Sequence, residues 1–320
     1  MGDWGWVTYT VLEVLIAVAC CFGNVLVVCA VAFGIQDCLR RPTFCFLVSL
    51  AVADFLVGAA AVPLAVLLDG RVSLTSHQCL LLSCVVLVLT EASVLSLLAI
   101  AIDRYLRLHM PFRYKAIVTQ RCTLLTMSVC WILSFLLGFT PLLGWHNISV
   151  GVYSTNTSSA SPSYSQCTFL SVISLPFMVY FNFFGCIMAP LLVMTFLYII
   201  IFWSLHKRLK NCCLQAQASL LREKRLACSL SLVLTLFACC WIPLHSMNCL
   251  LLFMGPQAVT QGTLYTGILL SHANSAVNPL VYAYRIPKIQ RAYAQTWKRL
   301  TLKLNCFIRN NPNQQTTAGH

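Results

Sequence analysis

Apolar residues in this chain come in long runs separated by short polar or basic stretches. Seven such runs stand out: Tyr9–Ala32, Thr43–Leu68, Cys79–Ile102, Cys122–Trp145, Leu170–Leu205, Leu226–Met254 and Val259–Tyr284. A helix needs about 20 apolar residues to cross a bilayer, so each run suffices for one crossing. The pattern predicts an all-α membrane protein, a bundle of seven transmembrane helices. Inside the sixth run, Trp241, Leu244, His245 and Asn248 recur at i, i+3, i+4 and i+7 and share one helical face. Pro243 removes a backbone donor beside that face, so a bend is expected there. After Tyr284, the residues Ile289, Tyr293, Trp297, Leu300 and Leu304 recur at helical spacing among bases. They predict a short amphipathic eighth helix lying on the membrane surface. Leu205 to Arg222 reads as a short basic loop, and the Ser/Thr-rich stretch from His146 to about Leu170 as a long irregular one. Residues 1–304 then form the membrane domain and 305–320 a tail, polar and disordered from Asn310 onward.

Composition agrees with that pattern and removes several function classes. The chain is 59% hydrophobic and only 9% charged, with a mean hydropathy of +0.81, where a soluble domain carries about 25% charged residues. With the N-terminus placed outside, all but Arg71 of the 21 Lys and Arg residues fall in inner loops and the tail. The +13 charge is therefore a topology signal and an attraction to anionic membrane lipid; it implies no nucleic acid. The chain reads as multi-pass in the plasma membrane, with the C-terminus in the cytoplasm and the first run a retained helix. Most of the 18 cysteines lie within apolar runs and act there as small hydrophobes. Only Cys79 and Cys167 sit well for an oxidising compartment, and they are expected to pair. Two glycosylation sequons, at Asn147 and Asn156, fall in the same outer loop. Cys306, just past the amphipathic stretch, is placed for palmitoylation.

Polar groups inside apolar helices are costly, so each is a candidate for function. Glu13 needs a partner, and His272 of the seventh run is the candidate. Asp54 faces two readings that sequence leaves open. Either it holds a monovalent cation such as sodium with Ser93, Asn274 and Asn278, or it is a neutral acid satisfied by the same groups. Glu91 is an uncommon acid at membrane depth, beside Thr90. At the inner feet of the third and sixth helices, Arg104 and Glu223 are placed to form a weak latch. Cys167, tied to Cys79, would hang Phe169 over the mouth of a cavity, where its ring suits a flat aromatic ligand.

Taken in order, Asn24, Leu50–Asp54, Asp103-Arg104-Tyr105, Trp131, Pro190, Trp241 with Pro243, and Asn278–Tyr282 resemble the rhodopsin-like (class A) G-protein-coupled receptors over the whole chain. The stretches Leu97–Leu106, Trp131–Phe135, Thr140–Trp145 and Leu269–Ser275 are similar to adenosine receptors in particular. That resemblance implies a binding site for adenosine. Asn248 would hold the adenine, Phe169 would stack on it, and Ser271, His272 and Thr90 would take the ribose. Leu87, Met178, Trp241, Leu244, His245 and Ile268 would line the apolar remainder. The chemistry is consistent, since one Asn side chain offers adenine both a donor and an acceptor. Leu264, Leu170 and the Gly267–Ser275 run are most similar to the type 3 branch, which implies coupling to an inhibitory (Gi/o) G protein and lowered adenylate cyclase activity. A type 1-like receptor is the alternative. His245, where type 3 receptors tend to have Ser, and Glu91, at a usually neutral or His position, are departures that imply altered ligand selectivity. The resemblance assigns Asp103, Arg104, Tyr105, Tyr198, Glu223 and Tyr282 to the switch that faces the G protein.

Other classes fit less well. No Lys lies in the seventh run for a retinal Schiff base, and Val86 stands where an amine receptor needs a carboxylate. A transporter moving protons along Glu13, Asp54 and Glu91 is a further alternative, but the chain lacks the internal symmetry common in such proteins. No metal-spaced cluster or nucleophile–base arrangement points to an enzyme, and no cofactor is expected.

Overall fold

With no water in a bilayer core, a chain must satisfy its backbone polar groups internally, and each apolar run does so by becoming a helix. The computed structural model describes residues 3–34, 42–147, 164–211, 214–286, 289–295, 298 and 301–302. Among the described residues, seven long helices form the bundle: α1 (Asp3–Gly34), α2 (Pro42–Leu67), α3 (Ser76–His109), α4 (Gln120–Gly138), α5 (Phe177–Lys210), α6 (Leu214–Met254) and α7 (Gln261–Arg285). The first six are long and apolar enough to cross a membrane. The seventh is more polar because Ser271, His272, Asn274, Ser275 and Asn278 are all turned inward.

Helix α3 is the central post. About 72% of its apolar stretch is buried, against 17% for peripheral α4, and it packs on α2, α4 and α5. The α3–α4 contact depends on Gly138. A Cβ there would sit 2.5 Å from a Val88 methyl and 2.6 Å from the Val88 backbone nitrogen, so the two helices approach more closely than any side chain permits. Gly138→Ala is therefore expected to cost about 1–3 kcal/mol, read as earlier thermal unfolding of the purified protein in detergent. An unchanged melting curve would show that α4 moves aside freely.

Prolines leave two different marks. A π-helical turn, Val57–Ala61, precedes Pro63, and a longer one, Phe177–Met188, precedes Pro190. The Val62 N–H reaches back to the Val57 carbonyl, and the Ala189 N–H to that of Phe184. A proline ring clashes with the carbonyl four residues back, and the wider turn removes that clash. Pro243 and Pro279 instead lie within uninterrupted α6 and α7, and neither proline breaks its helix.

Two expectations for the loops are corrected. The expected basic loop from Leu205 to Arg222 is mostly helix, since α5 continues to Lys210 and α6 starts at Leu214. Leu, Lys, Arg, Gln and Ala are strong helix formers, so the helices outrun their apolar runs. The long irregular loop ends in a strand, β2 (Tyr164–Thr168), paired antiparallel with β1 (Asp69–Thr75). The Cys79–Cys167 disulfide, with Cα atoms 5.8 Å apart, fastens β2 to the start of α3. Beyond α7, residues 289–295 are helical, and Ile289 and Ala292 are buried, which continues the amphipathic pattern. Trp297, Leu300, Leu304, Asn156, Cys306 and the tail lie outside the described residues.

Candidate functional site

A cavity of about 350 Å³ opens among α3, α5, α6 and α7 at the disulfide-bonded end of the bundle. Its wall brings together Leu87 and Thr90 from α3, Phe169 from the loop, Met178 from α5, and Trp241, Leu244, His245 and Asn248 from α6. Leu264, Ile268, Ser271 and His272 from α7 complete it. Phe169 is held there by a capping box, in which Thr168 and Ser171 exchange side-chain and backbone hydrogen bonds around a one-turn helix, Phe169–Val172.

The hydroxyls on the wall are parked on their own helices. Thr90 Oγ1 donates to the Val86 carbonyl at 3.1 Å, and Ser271 Oγ to the Ile268 carbonyl at 2.7 Å. Each oxygen keeps lone pairs for a ligand donor. His272 Nδ1 lies 2.9 Å from both carboxylate oxygens of fully buried Glu13, the partner expected from sequence. The His245 ring stacks on Phe183 at 4.8 Å and on Trp241 at 5.8 Å, and both its nitrogens are buried without a hydrogen-bond partner among the described residues. Buried polar atoms are nearly always satisfied, which makes His245 an exception among the described residues.

Sequence reasoning missed the mouth of the cavity. Tyr9, Asp69, Gln261 and Tyr265 line it together. Tyr265 Oη donates to the Asp69 carboxylate at 2.9 Å and receives a bond from Gln261 Nε2 at 2.8 Å; Tyr9 stacks on Tyr265 at 4.1 Å. Burial pushes the Asp69 carboxyl above its usual range, opposed by the Tyr265 hydrogen bond. Residues 196 apart meet here, and no local pattern announces that.

Below the cavity, Asp54 is fully buried. It accepts from Ser93 Oγ at 3.1 Å, Ser275 Oγ at 2.8 Å and Asn278 Nδ2 at 2.8 Å. Ser275, not Asn274, fills the expected fourth place; among the described residues the Oδ1 atoms of Asn274 and Asn278 are buried without partners. The partner missed was one helical position away. Asn24 ties α1 to α7 by donating to the Ser275 carbonyl at 3.0 Å.

At the opposite end lies a charged crevice of about 150 Å³, lined by Arg104, Arg107, Arg208, Ile201, Leu220 and Glu223 among others. Arg104 Nη1 meets Glu223 at 3.4 Å, and Arg107 Nη2 meets the other Glu223 oxygen at 3.2 Å. Asp103 accepts from Arg104 Nε at 3.0 Å, Thr43 Oγ1 at 2.8 Å and Tyr114 Oη at 2.6 Å; Arg104 also donates to Thr43. Burial, then the bond to Asp103, raises the Tyr114 phenol. Thr43, Arg107 and Tyr114 were not anticipated. Tyr198 and Tyr282 are buried nearby in the core that surrounds α3, while Tyr105 turns to stack on His109 at 4.6 Å. Asn147 is exposed and donates weakly to the Ile173 carbonyl at 3.4 Å.

A seven-helix membrane bundle with a ligand-sized cavity at one end and a charged crevice at the other has the architecture of a transmembrane receptor. Residues 23–282 match the model of the 7 transmembrane receptor (rhodopsin family). Adenosine receptor A3 of Ovis aries is 43% identical over 91% of this chain and 90% of its own length. Adenosine receptor A2b of Gallus gallus is 42% identical over 93% and 89%, and that of Bos taurus 44% identical over 87% and 85%. The chain belongs to the rhodopsin family of seven-transmembrane receptors and, within it, to the adenosine receptors. Members of that family are receptors, not enzymes.

Proposed function

We propose that the chain is a type 3-like adenosine receptor whose cavity binds extracellular adenosine and whose charged crevice engages an inhibitory (Gi/o) G protein. The observation that carries this reading is the makeup of the cavity wall. An apolar slot between Phe169 and Leu244 has an amide, Asn248, on one side and a hydroxyl–imidazole pair, Ser271 and His272, on another. A flat base suits the slot, with Asn248 supplying donor and acceptor to its edge, while a sugar meets the polar pair. The bias of Lys and Arg supports an outer N-terminus, which turns the cavity outward and the crevice to the cytoplasm. On the same topology Asn147 and Asn156 are available for glycosylation and Cys306 for palmitoylation. Asp54 with Ser93, Ser275, Asn278 and the partnerless Asn274 carbonyl is an all-oxygen set of the kind a hard cation such as sodium takes.

The switch follows from the latch. Ligand drawing the cavity walls together favours a state in which the foot of α6 leaves Arg104, and Arg104 with Tyr198 then faces the G protein. A ligand shifts such an equilibrium only by its differential affinity for the two states, so the latch must be weak. A partly exposed ion pair of about 0–1 kcal/mol meets that need. Glu223→Ala, which removes the contacts to both Arg104 and Arg107, is expected to raise agonist-independent nucleotide exchange about two- to fivefold. Unaltered basal exchange at equal expression would sink the latch.

Cyclic AMP in forskolin-stimulated cells tests the whole reading. Adenosine is expected to lower it, and pertussis toxin to abolish the fall. A rise would overturn inhibitory coupling. No response at confirmed surface expression, together with no adenosine binding, would overturn the ligand.

A further inference from the structure

The side chains at the cavity mouth take no part in that scheme. Tyr265 Oη is shared between both Asp69 carboxylate oxygens, at 3.0 and 2.9 Å, so one hydroxyl ties α7 to the first residue of β1. Tyr9 of α1 stacks on the Tyr265 ring at 4.1 Å. Trp6, one turn earlier on α1, has the Arg71 guanidinium of β1 4.0 Å from its ring centre. These contacts close a triangle: α1 to α7, α7 to β1, and β1 back to α1. From Asp69 the tie continues across the opening. Asp69 pairs with Thr168 of β2, the Phe169 N–H donates to the Leu68 carbonyl at 3.2 Å, and the Cys79–Cys167 disulfide fastens β2 to α3. A chain of contacts thus runs from α7, past the outer end of α2, to α3.

The height of that tie sets what it can do. Tyr265 precedes His272 by seven residues on α7, about 10 Å at 1.5 Å per residue, so the polar pair Ser271 and His272 lies well below it. A group at the entrance governs passage in both directions without adding to the depth of the bound state. We propose that the Asp69–Tyr265 hydrogen bond is a strap over the cavity mouth that opens for a nucleoside to enter or leave, and so sets the rates of binding rather than the affinity. The stack on Tyr9 and the bond from Gln261 Nε2 hold the Tyr265 ring in place. Asp69 is held less firmly, because the β1–β2 register is irregular between Asp69 and Ser73 and the ladder there is interrupted. The Asp69–Tyr265 edge of the triangle is therefore the one that parts. A single hydroxyl–carboxylate bond is strong enough to keep the mouth closed most of the time and weak enough to break often. The inference rests on the adenosine reading of the cavity.

Association and dissociation of tritiated adenosine, followed by scintillation proximity on purified receptor in lipid nanodiscs, test it. The proteins compared are wild type, Tyr265→Phe, Asp69→Leu and the double variant Tyr265→Phe/Asp69→Leu. Tyr265→Phe keeps the ring stacked on Tyr9 and loses only the hydroxyl. Asp69→Leu leaves that hydroxyl at the entrance, where water can meet it, and either single variant that folds suffices for the comparison of rates. Each single change is expected to raise both rates together by about three- to tenfold, with Kd held within about twofold. The double variant is expected to be no faster than the faster single one, because all three lack the same bond. Faster dissociation alone, with a weaker Kd, would mean that Tyr265 or Asp69 touches the ligand, and would overturn the strap. Unchanged rates would put the passage elsewhere and overturn it too, as would single effects that multiply in the double variant. Failure of wild type to bind adenosine at all would strike the nucleoside reading itself, so the two failures are distinguishable.

Discussion

Asn248→Ala is expected to reduce adenosine affinity by about 100-fold or more, with surface expression near the wild-type level. Sites built to hydrogen-bond a ligand lose most when one of their polar groups goes unmet, because a desolvated partner is left behind. Asn248 is buried, at 3% exposure, yet borders the cavity. Truncation therefore opens the cavity without stranding a polar atom in lipid, which is why expression should hold. The amide is proposed to read the base edge through both a donor and an acceptor. Asn248→Asp keeps two acceptors, loses the donor, and should recover only part of the affinity. Radioligand saturation on intact cells measures both variants. Binding retained within about threefold in Asn248→Ala would place the base elsewhere in the cavity and take the proposed pose with it.

The contrast with His245 sharpens that expectation. Both residues lie on one α6 face, and their spacing, with Trp241 and Leu244, was legible from the i, i+3, i+4, i+7 pattern alone. Helical periodicity identifies a face; it does not say what the face meets. The structure supplies the opposing wall, and with it the finding that the His245 nitrogens are buried and unpartnered.

What the chain disclosed on first reading was whatever hydrophobicity and spacing encode. The seven apolar runs became seven long helices, and two pairings expected of costly polar residues formed. Glu13 met His272, and Arg104 met Glu223. Less legible was anything decided by rotation or reach. Ser275 and Asn274 are adjacent, and the choice of Ser275 as a partner of Asp54 depends on how α7 sits against α2. The Tyr9–Tyr265–Asp69 group draws on three distant segments. The β1–β2 pair was hidden because a disulfide and a docking partner, not β-propensity, order a Ser/Thr-rich strand. The π turns before Pro63 and Pro190 are a local response to proline, while Pro243 and Pro279 sit in unbroken α-helix.

Glu13→Leu carries the second large effect, an expected loss of about 100-fold or more in adenosine affinity through a residue that is absent from the cavity wall. Glu13 is fully buried and both its oxygens lie 2.9 Å from His272 Nδ1. That contact fixes which ring nitrogen is committed and leaves the other edge of the imidazole to the cavity, just as a carboxylate orients a histidine in other polar sites. Removing one member of a buried pair typically costs about 3–5 kcal/mol, because the survivor stays desolvated and unmet. Part of that cost falls on folding, so surface expression should also drop. Glu13→Gln separates the two contributions. Its amide oxygen still accepts from Nδ1, which keeps the ring oriented, and the affinity loss should shrink to about tenfold or less. Ligand binding normalised to surface receptor measures this in both variants. Equal losses for Leu and Gln would mean that the negative charge, not the orientation of His272, governs binding. Wild-type affinity in Glu13→Leu would remove His272 from the ribose site, because an imidazole freed from its partner cannot hold one geometry for the sugar.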